Sequence, residues 1–188
     1  GTKTFSGVIG SSTPLTSITQ DDATGAVQFN ENVTVGSGGA TFNAKVTLDG
    51  LTFTSGGAVT LGNVASDTLT INGAATTVTT TSGDVTLNAS TTGNESFSLG
   101  TTLNPIAGGI TFNAPVTMAS DKSLTAIAES SVGFINTNSD VSSSGSGAIS
   151  ITANHFIELY PGSSIAVVDG DMTLTAYGAV FHHNNGIR

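Results

Sequence analysis

The chain of 188 residues contains no cysteine and no tryptophan, and only 9% of its residues are charged. Since globular domains usually carry about 25% charged residues, uncharged side chains must form most of the exterior. Without cysteine, neither a disulfide framework nor a thiolate zinc site can form. No apolar run approaches the roughly 18 residues that a transmembrane helix needs, so we expect no membrane insertion.

Basic residues are also scarce. The chain has only Lys3, Lys45, Lys122 and Arg188, and its net charge is −9. Proteins that bind nucleic acids neutralise phosphates with clustered Lys and Arg, so the composition predicts no nucleic-acid partner. An anionic membrane surface would repel the chain for the same reason.

The sequence is rich instead in residues that favour strands and turns. Thr and Val pack well on a pleated sheet, and Gly and Asn favour tight turns. Apolar residues alternate with polar ones from Ala40 to Leu48 and again from Ile110 to Met118. A period of two places the apolar set on one face of a strand. The best helix candidate, residues 124–130, can be read as the same alternation, and we assign no helix.

One phrase occurs twice in the chain. GGATFNAKVT at residues 38–47 returns as GGITFNAPVT at residues 108–117, with eight of ten letters unchanged. Looser copies begin at Gly25, Gly57, Gly83, Gly147 and Gly170. Repeats spaced by roughly twenty residues are typical of solenoids, whose coils bury their apolar faces only by stacking. We therefore predict an all-β, parallel β-helix (β-solenoid) of about eight irregular coils, with Phe42 and Phe112 in one interior.

A β-sandwich is the alternative fold, and a barrel would use alternating strands as well. Against both, the similar phrases run in the same chain direction. Asn-Gly, the strongest short hairpin signal, occurs only at Asn72-Gly73 and Asn185-Gly186. The parallel β-helix is therefore the preferred interpretation.

Asparagine follows an apolar residue at several corners of the predicted coils. These positions are Asn30, Asn43, Asn72, Asn88 and Asn113. If they superpose, their amides can form a hydrogen-bonded ladder along the solenoid axis. The other interpretation is the general preference of Asn for turns.

Several stretches resemble the repeats of large secreted bacterial adhesins, of the filamentous-haemagglutinin and autotransporter-passenger kind. They include GTKTFSGVIGSSTPLTSI, VQFNENVTV and ATFNAKVTLDGLTFTSGGAVTL, and the C-terminal GAISITANHFIELYPGSSIAVVDGDMTLTAYGAV is similar to their degenerate coils. The resemblance implies a right-handed parallel β-helix exported to the bacterial cell surface or beyond it, as a stalk or adhesive fibre. It implies no catalytic positions.

We expect residues 1–188 to form a single β-solenoid segment of a longer repetitive protein. The opening residues lack the apolar region of a signal peptide, and both ends fall within the strand pattern. The leading functional hypothesis is a structural or adhesive module without enzyme activity or cofactor. Its partners would be surface glycans or other copies of the chain, joined end to end or laterally through weak multivalent contacts.

A polysaccharide-active enzyme fragment is the alternative function, because such enzymes use clustered carboxylates. The candidates are Asp21 with Asp22, and Asp169 with Asp171. Aspartate is common in turns, so we interpret Asp21 and Asp22 as a solvated corner. Calcium takes about 6–8 oxygen ligands, so two nearby carboxylates form a weak site and we expect no metal.

Three histidines, His155, His182 and His183, are candidate zinc ligands. Neighbours on a strand point to opposite faces, and no carboxylate is close in sequence, so we expect surface roles for them.

Thr77, Thr79 and Thr81 form a Thr-x-Thr-x-Thr row that could order water on an ice or mineral surface. Such a face needs the same motif in every coil at regular spacing. Because the coils differ in length, the sequence favours Thr as a neutral, strand-forming exterior, and ice binding is the least favoured function.

Overall fold

A computed structural model describes residues 1–102 and 108–183. These residues form 23 strands and no helix, so none of them belongs to a helix long and apolar enough to cross a membrane. All twenty pairings between strands are parallel. The chain winds as a β-solenoid with three sheets, which confirms the predicted fold and rules out the sandwich.

The first sheet contains eight strands. They are β1 (Thr2–Phe5), β3 (Ala26–Phe29), β6 (Lys45–Asp49), β9 (Thr68–Asn72), β12 (Ser90–Gly93), β15 (Val116–Met118), β18 (Val141–Ser143) and β21 (Ile165–Val167). Each of these strands begins one of the eight coils, so coil 1 begins at β1 and coil 8 at β21.

The second sheet contains seven strands. They are β4 (Val33–Val35), β7 (Thr52–Ser55), β10 (Thr76–Thr80), β13 (Phe97–Thr101), β16 (Leu124–Ala128), β19 (Ile149–Ala153) and β22 (Met172–Ala176). In coil 1 only two isolated parallel bridges, from Ile9 and Leu15 to β4, take the place of a strand.

The third sheet again contains eight strands. They are β2 (Ile18–Gln20), β5 (Ala40–Phe42), β8 (Val59–Leu61), β11 (Val85–Leu87), β14 (Ile110–Phe112), β17 (Phe134–Thr137), β20 (Phe156–Leu159) and β23 (Ala179–His182). From coil 2 onwards, each coil visits the first, second and third sheets in turn.

The coils differ in length, but the strands stay in register. Register partners in the first sheet are separated successively by 24, 19, 23, 22, 25, 25 and 24 residues. Turns therefore absorb the differences. The two copies of the repeated phrase lie three coils apart, and Phe42 reaches Phe112 through the register partners Leu61 and Leu87. Both phenylalanines are fully buried, which confirms the predicted common interior.

Aromatic side chains fill the interior of the early coils. The rings of Phe29, Phe42 and Phe53 meet edge to face, with centroids 5.7 to 6.1 Å apart. Each of the three is at most 1% exposed. Burial of one such side chain stabilises the fold by about 1.5–3 kcal/mol, so this cluster is a main source of stability.

The second glycine of the repeated phrase is required in both copies, but for a different physical reason in each. Gly39 has a φ of +73°, and a Cβ there would lie 2.3 Å from the carbonyl oxygen of Ala58. A Cβ at Gly109 would lie 2.4 Å from the ring of Phe134. Identical residues therefore serve a turn in one coil and an aromatic contact in another.

An Asn ladder is present, and it contains two of the five predicted residues, Asn88 and Asn113. At the corner after the third sheet, Asn113 Nδ2 donates to Asn88 Oδ1 over 2.8 Å, and Asn138 Nδ2 donates to Asn113 Oδ1 over 2.7 Å. The five positions do not form one ladder, because Asn30 follows β3 and Asn72 ends β9, and both strands belong to the first sheet. The prediction also omitted Asn138.

The Asn-Gly pairs do not mark hairpins in the described residues. Asn72 ends β9, and Gly73, with a φ of +67°, turns the chain towards β10 in the next sheet. Asn185-Gly186 lies outside the described residues.

Candidate binding groove on the second sheet

The outer face of the second sheet carries two columns of side chains that run along the solenoid axis. The first column contains Thr52, Thr77, Ser98, Thr125, Ser150 and Thr173. The second contains Thr34, Thr54, Thr79, Gly100, Ile127, Thr152 and Thr175. Since parallel strands lie about 4.8 Å apart, hydroxyl groups recur at that spacing despite the unequal coils.

Two members interrupt the second column. Gly100 has no side chain, and a Cβ built there would have Thr79 Oγ1 as its nearest neighbour, at 3.7 Å. Ile127, the next member, places an apolar side chain on the outside. The column therefore has a depression with an apolar floor at this point.

A third row begins at the corner where the second-sheet strands end. Glu129, Asn154 and Tyr177 directly follow β16, β19 and β22. Asn154 Nδ2 donates to the backbone carbonyl of Glu129 over 3.3 Å, which ties two neighbouring coils together. Tyr177 is 79% exposed, more than any other large hydrophobic side chain among the described residues.

Two adjoining depressions, of about 250 and 400 Å³, share Ile127 and Glu129. We call their union the axial groove and define it by six residues. They are Thr79, Gly100, Ile127, Glu129, Asn154 and Tyr177. The groove crosses coils 4 to 8, four steps between coils, so it is about 19 Å long.

The axial groove is almost uncharged. Among the described residues that line it, Glu129 is the only charged side chain. Among the described residues, the close contacts between a basic and an acidic side chain lie elsewhere, between Lys122 and Glu95 and between His183 and Glu158. The groove thus offers hydroxyl and amide donors, one carboxylate acceptor and one exposed aromatic ring.

The structure places Asp21 and Asp22 away from the axial groove, in the exposed turn between β2 and β3. The Asp22 carboxylate accepts hydrogen bonds from the backbone N–H and the hydroxyl of Thr24, both over 2.8 Å. These bonds favour the ionised form and lower the pKa of Asp22. Its contacts are those of a local turn, as the solvated-corner interpretation predicts.

Asp169 and Asp171 lie in the turn between β21 and β22, and both are exposed. Within residues 1–102 and 108–183, no group of three or more His, Cys, Asp or Glu side chains could hold a metal ion.

The histidines lie at the third-sheet strands of the last two coils: His155 precedes β20, His182 ends β23 and His183 follows it. The His155 ring meets Phe156 at a centroid distance of 5.2 Å. His183 Nε2 lies 2.9 Å from Glu158 Oε1 across one coil. A hydrogen bond to Glu158 also raises the pKa of Tyr160. The pairing of His183 with Glu158, 25 residues away, was not predicted.

Thr77, Thr79 and Thr81 lie on the outside of the coil, as their alternation with other residues predicts. Thr77 and Thr79 point outwards from β10, and exposed Thr81 begins the following corner. Thr77 and Thr79 belong to the two columns of the second sheet.

Sequence reasoning missed Glu129, Asn154 and Tyr177. A signal for them exists in the hexapeptides LTAIAE, ISITAN and MTLTAY. In each, an apolar residue, a Thr or Ser, two further residues and Ala precede the corner residue. Aligning these hexapeptides would have placed the three corner residues in one row.

Comparisons with known proteins give no relative from which a role could be transferred. No family model, no curated protein and no solved structure matches the chain. Function is therefore argued from the solenoid and its outer faces.

Proposed function

We propose that the chain is a rigid structural and adhesive module of an extracellular or bacterial cell-surface protein. The observation that carries this proposal is the repetition of hydroxyl side chains, in register, on all three outer faces. The first sheet displays Thr47, Thr70, Thr92, Thr117 and Ser142. The third sheet displays Thr19, Thr41, Thr60, Thr86 and Thr111.

Rigidity follows from the way in which the coils share their core. Each coil buries its apolar side chains against its neighbours, so no coil can move as an independent unit. Hydrogen bonds between parallel strands join every pair of successive coils. Seven steps between eight coils give a described length of about 34 Å along the axis.

Adhesion through these faces would depend on the number of hydroxyl contacts rather than on the strength of any one contact. A hydrogen bond exchanged with water contributes only about 0.5–1.5 kcal/mol, so one hydroxyl binds weakly. Many hydroxyls at a regular spacing act together once the module is anchored. Because charge is scarce, this adhesion should depend little on salt.

We propose binding without cleavage. Hydrolysis of a glycosidic bond commonly uses two carboxyl groups that flank the bond. Among the described residues, the axial groove offers only the carboxylate of Glu129. Incubation with polysaccharides should release no reducing ends, and release that Glu129→Gln abolishes would favour the enzyme alternative.

Beads that carry the chain at high or low density provide the test of adhesion. On polysaccharide-coated surfaces we expect retention under flow that rises steeply with bead density and persists at 0.5 M salt, a condition that screens charges beyond about 4 Å. Absence of retention at every density would refute the adhesive proposal. Bovine serum albumin beads provide the control.

Ice binding is a second candidate, favoured by one observation. Thr52 with Thr54, Thr77 with Thr79, and Thr173 with Thr175 form matching pairs in register on the second sheet. This regularity exists although the coils differ in length. A measurement of thermal hysteresis separates the two candidates, since only ice binding would produce it.

A further inference from the structure

We infer that the axial groove binds one extended chain of a neutral, β-linked polysaccharide, with Tyr177 as its stacking platform. This inference rests on the proposed adhesive function and names the ligand class. The groove extends about 19 Å, and each coil advances it by about 4.8 Å. One unit of an extended β-linked glycan has a similar length, so successive sugars would meet successive coils.

The polar lining suits sugar hydroxyls. Ser98 and Thr125 line the groove in adjacent coils, and each hydroxyl can both donate and accept. Asn154 uses one N–H on the Glu129 carbonyl, so its second N–H and its oxygen can bind a ligand. Each contact is weak in water, and affinity requires several of them at once.

The apolar part of the lining suits the C–H faces of sugar rings. Tyr177 presents an aromatic ring that is 79% exposed, at the end of the groove in coil 8. An aromatic ring offers a flat apolar surface, and the tyrosine hydroxyl adds a hydrogen-bonding group. Ile127 and the depression at Gly100 continue this surface into coils 6 and 5.

The negative charge of the groove and of the whole molecule favours an uncharged polysaccharide as the ligand. Glu129 lies in both depressions, and the whole molecule carries a net charge of −9. An anionic chain of uronate units would be repelled, because the described groove lining contains no basic side chain. A neutral sugar instead donates its hydroxyls to the carboxylate, in hydrogen bonds strengthened by the charge.

The location of the groove favours a glycan over a peptide. An extended peptide can gain main-chain hydrogen bonds by adding a strand to an open sheet edge. The axial groove lies on the face of the second sheet, where β10, β13, β16, β19 and β22 already pair with one another. A peptide could therefore add no main-chain hydrogen bonds to this sheet, whereas the hydroxyl groups of a sugar can bind the side chains that line the groove.

Calorimetric titration of the 188-residue chain with cellohexaose, hexa-N-acetylchitohexaose and β-linked hexamannuronate tests the inference. We expect at least one neutral hexasaccharide to bind and the anionic one to bind at least about tenfold more weakly. Tyr177→Ala should weaken binding by about tenfold. Gly100→Thr, whose Cβ has room beside Thr79, should fill the floor and weaken binding similarly.

Phe181→Ala is the matched control, since this aromatic ring is 50% exposed and lies on the third sheet. It should bind like the unchanged chain. The inference is overturned if neither neutral hexasaccharide binds, if hexamannuronate binds as well as they do, or if both groove variants retain full affinity with unchanged circular dichroism. Beads that adhere despite any of these results would leave the adhesive proposal intact, whereas beads that never adhere would refute that proposal as well.

Discussion

Phenylalanine lies inside the solenoid in coils 2, 3 and 5 and outside it in coils 6 to 8. Phe42 and Phe112 are fully buried, on strands of the third sheet. On later strands of the same sheet, Phe134 and Phe156 stack on the outer surface at 5.7 Å, and Phe181 is 50% exposed. The interior of the late coils is formed by smaller residues such as Ile157. Aromatic residues therefore stabilise the early coils and are presented to solvent in the late coils.

The buried aromatic rings and the proposed binding groove therefore occupy different stretches of the solenoid axis, which overlap in coil 5. The axial groove, with Gly100 and Tyr177, lies in coils 4 to 8. The aromatic cluster around Phe53 lies in coils 2 and 3. A repeat protein with nearest-neighbour coupling allows this division, because each coil contributes its own stability and its own surface.

The largest contrast should come from truncating one phenylalanine of each kind. Phe112→Ala leaves a cavity in the interior and should lower the free energy of unfolding by about 3–5 kcal/mol. Phe181→Ala should change it by about 0.5 kcal/mol, since that ring is half exposed. Urea unfolding followed by circular dichroism measures both. Equal losses would show that the inside–outside contrast is wrong.

A glycine pair gives the next largest effect. Gly39→Ala forces an L-residue to a φ of +73° beside the Ala58 carbonyl, and should cost about 1–3 kcal/mol. Gly100→Ala meets only ordinary contacts on a strand, and should stabilise by about 0.5–1 kcal/mol. Thermal unfolding compares them, and a stabilising Gly39→Ala would contradict the described turn.

The Asn ladder tests the stacking of the middle coils. Asn113→Ala removes one donated and one accepted amide hydrogen bond, and should cost about 1 kcal/mol. Asn43→Ala is the control. The equivalent corner of the next coil is occupied by Gly62, which has no side-chain amide, so the ladder does not continue from Asn43 into that coil. Should the two variants lose equal stability in chemical denaturation, the ladder would contribute nothing.

The smallest effect concerns Asp121, at the corner between the first and second sheets. Its carboxylate accepts from the Ser146 backbone N–H and hydroxyl over 2.8 and 2.9 Å, and these bonds lower the pKa of Asp121 from 3.8. A lowered folded-state pKa gives stability that is present above the unfolded value and lost as pH falls through the folded one. The melting temperatures of the unchanged chain and Asp121→Asn should therefore converge below pH 3.8. A gap that widens with acid would contradict this assignment.

The sequence was sufficient to predict the stacked fold. Alternation defined the strands, and the repeated phrase placed Phe42 and Phe112 in equivalent positions. A period of two does not by itself distinguish the inner face from the outer one when both residues are apolar. In residues 134–135, Phe134 points outwards and Ile135 inwards, so residue size does not decide the face. The right-handed sense of the coil stays a prediction.

The groove could not be predicted in the same way. Glu129, Asn154 and Tyr177 are adjacent only because turns of unequal length leave the strands in register. The spacing between these residues, 25 and 23 positions, gives no signal until the coil lengths are known. Carboxylates that are adjacent in sequence, such as Asp21 and Asp22, are conspicuous in the sequence but lie in a turn outside the groove.

Stacking in register is the central claim, and engineered cysteines test it directly because the chain has none of its own. Thr86 and Thr111 are register partners in adjacent coils, about 4.8 Å apart at Cα, within reach of a disulfide. Thr60 and Thr111 are two coils apart, about 9.6 Å, beyond that reach. Mass spectrometry after mild oxidation should show an internal disulfide in the Thr86→Cys/Thr111→Cys variant and none in Thr60→Cys/Thr111→Cys. A disulfide in the second variant alone, or in neither, would contradict the register of the coils.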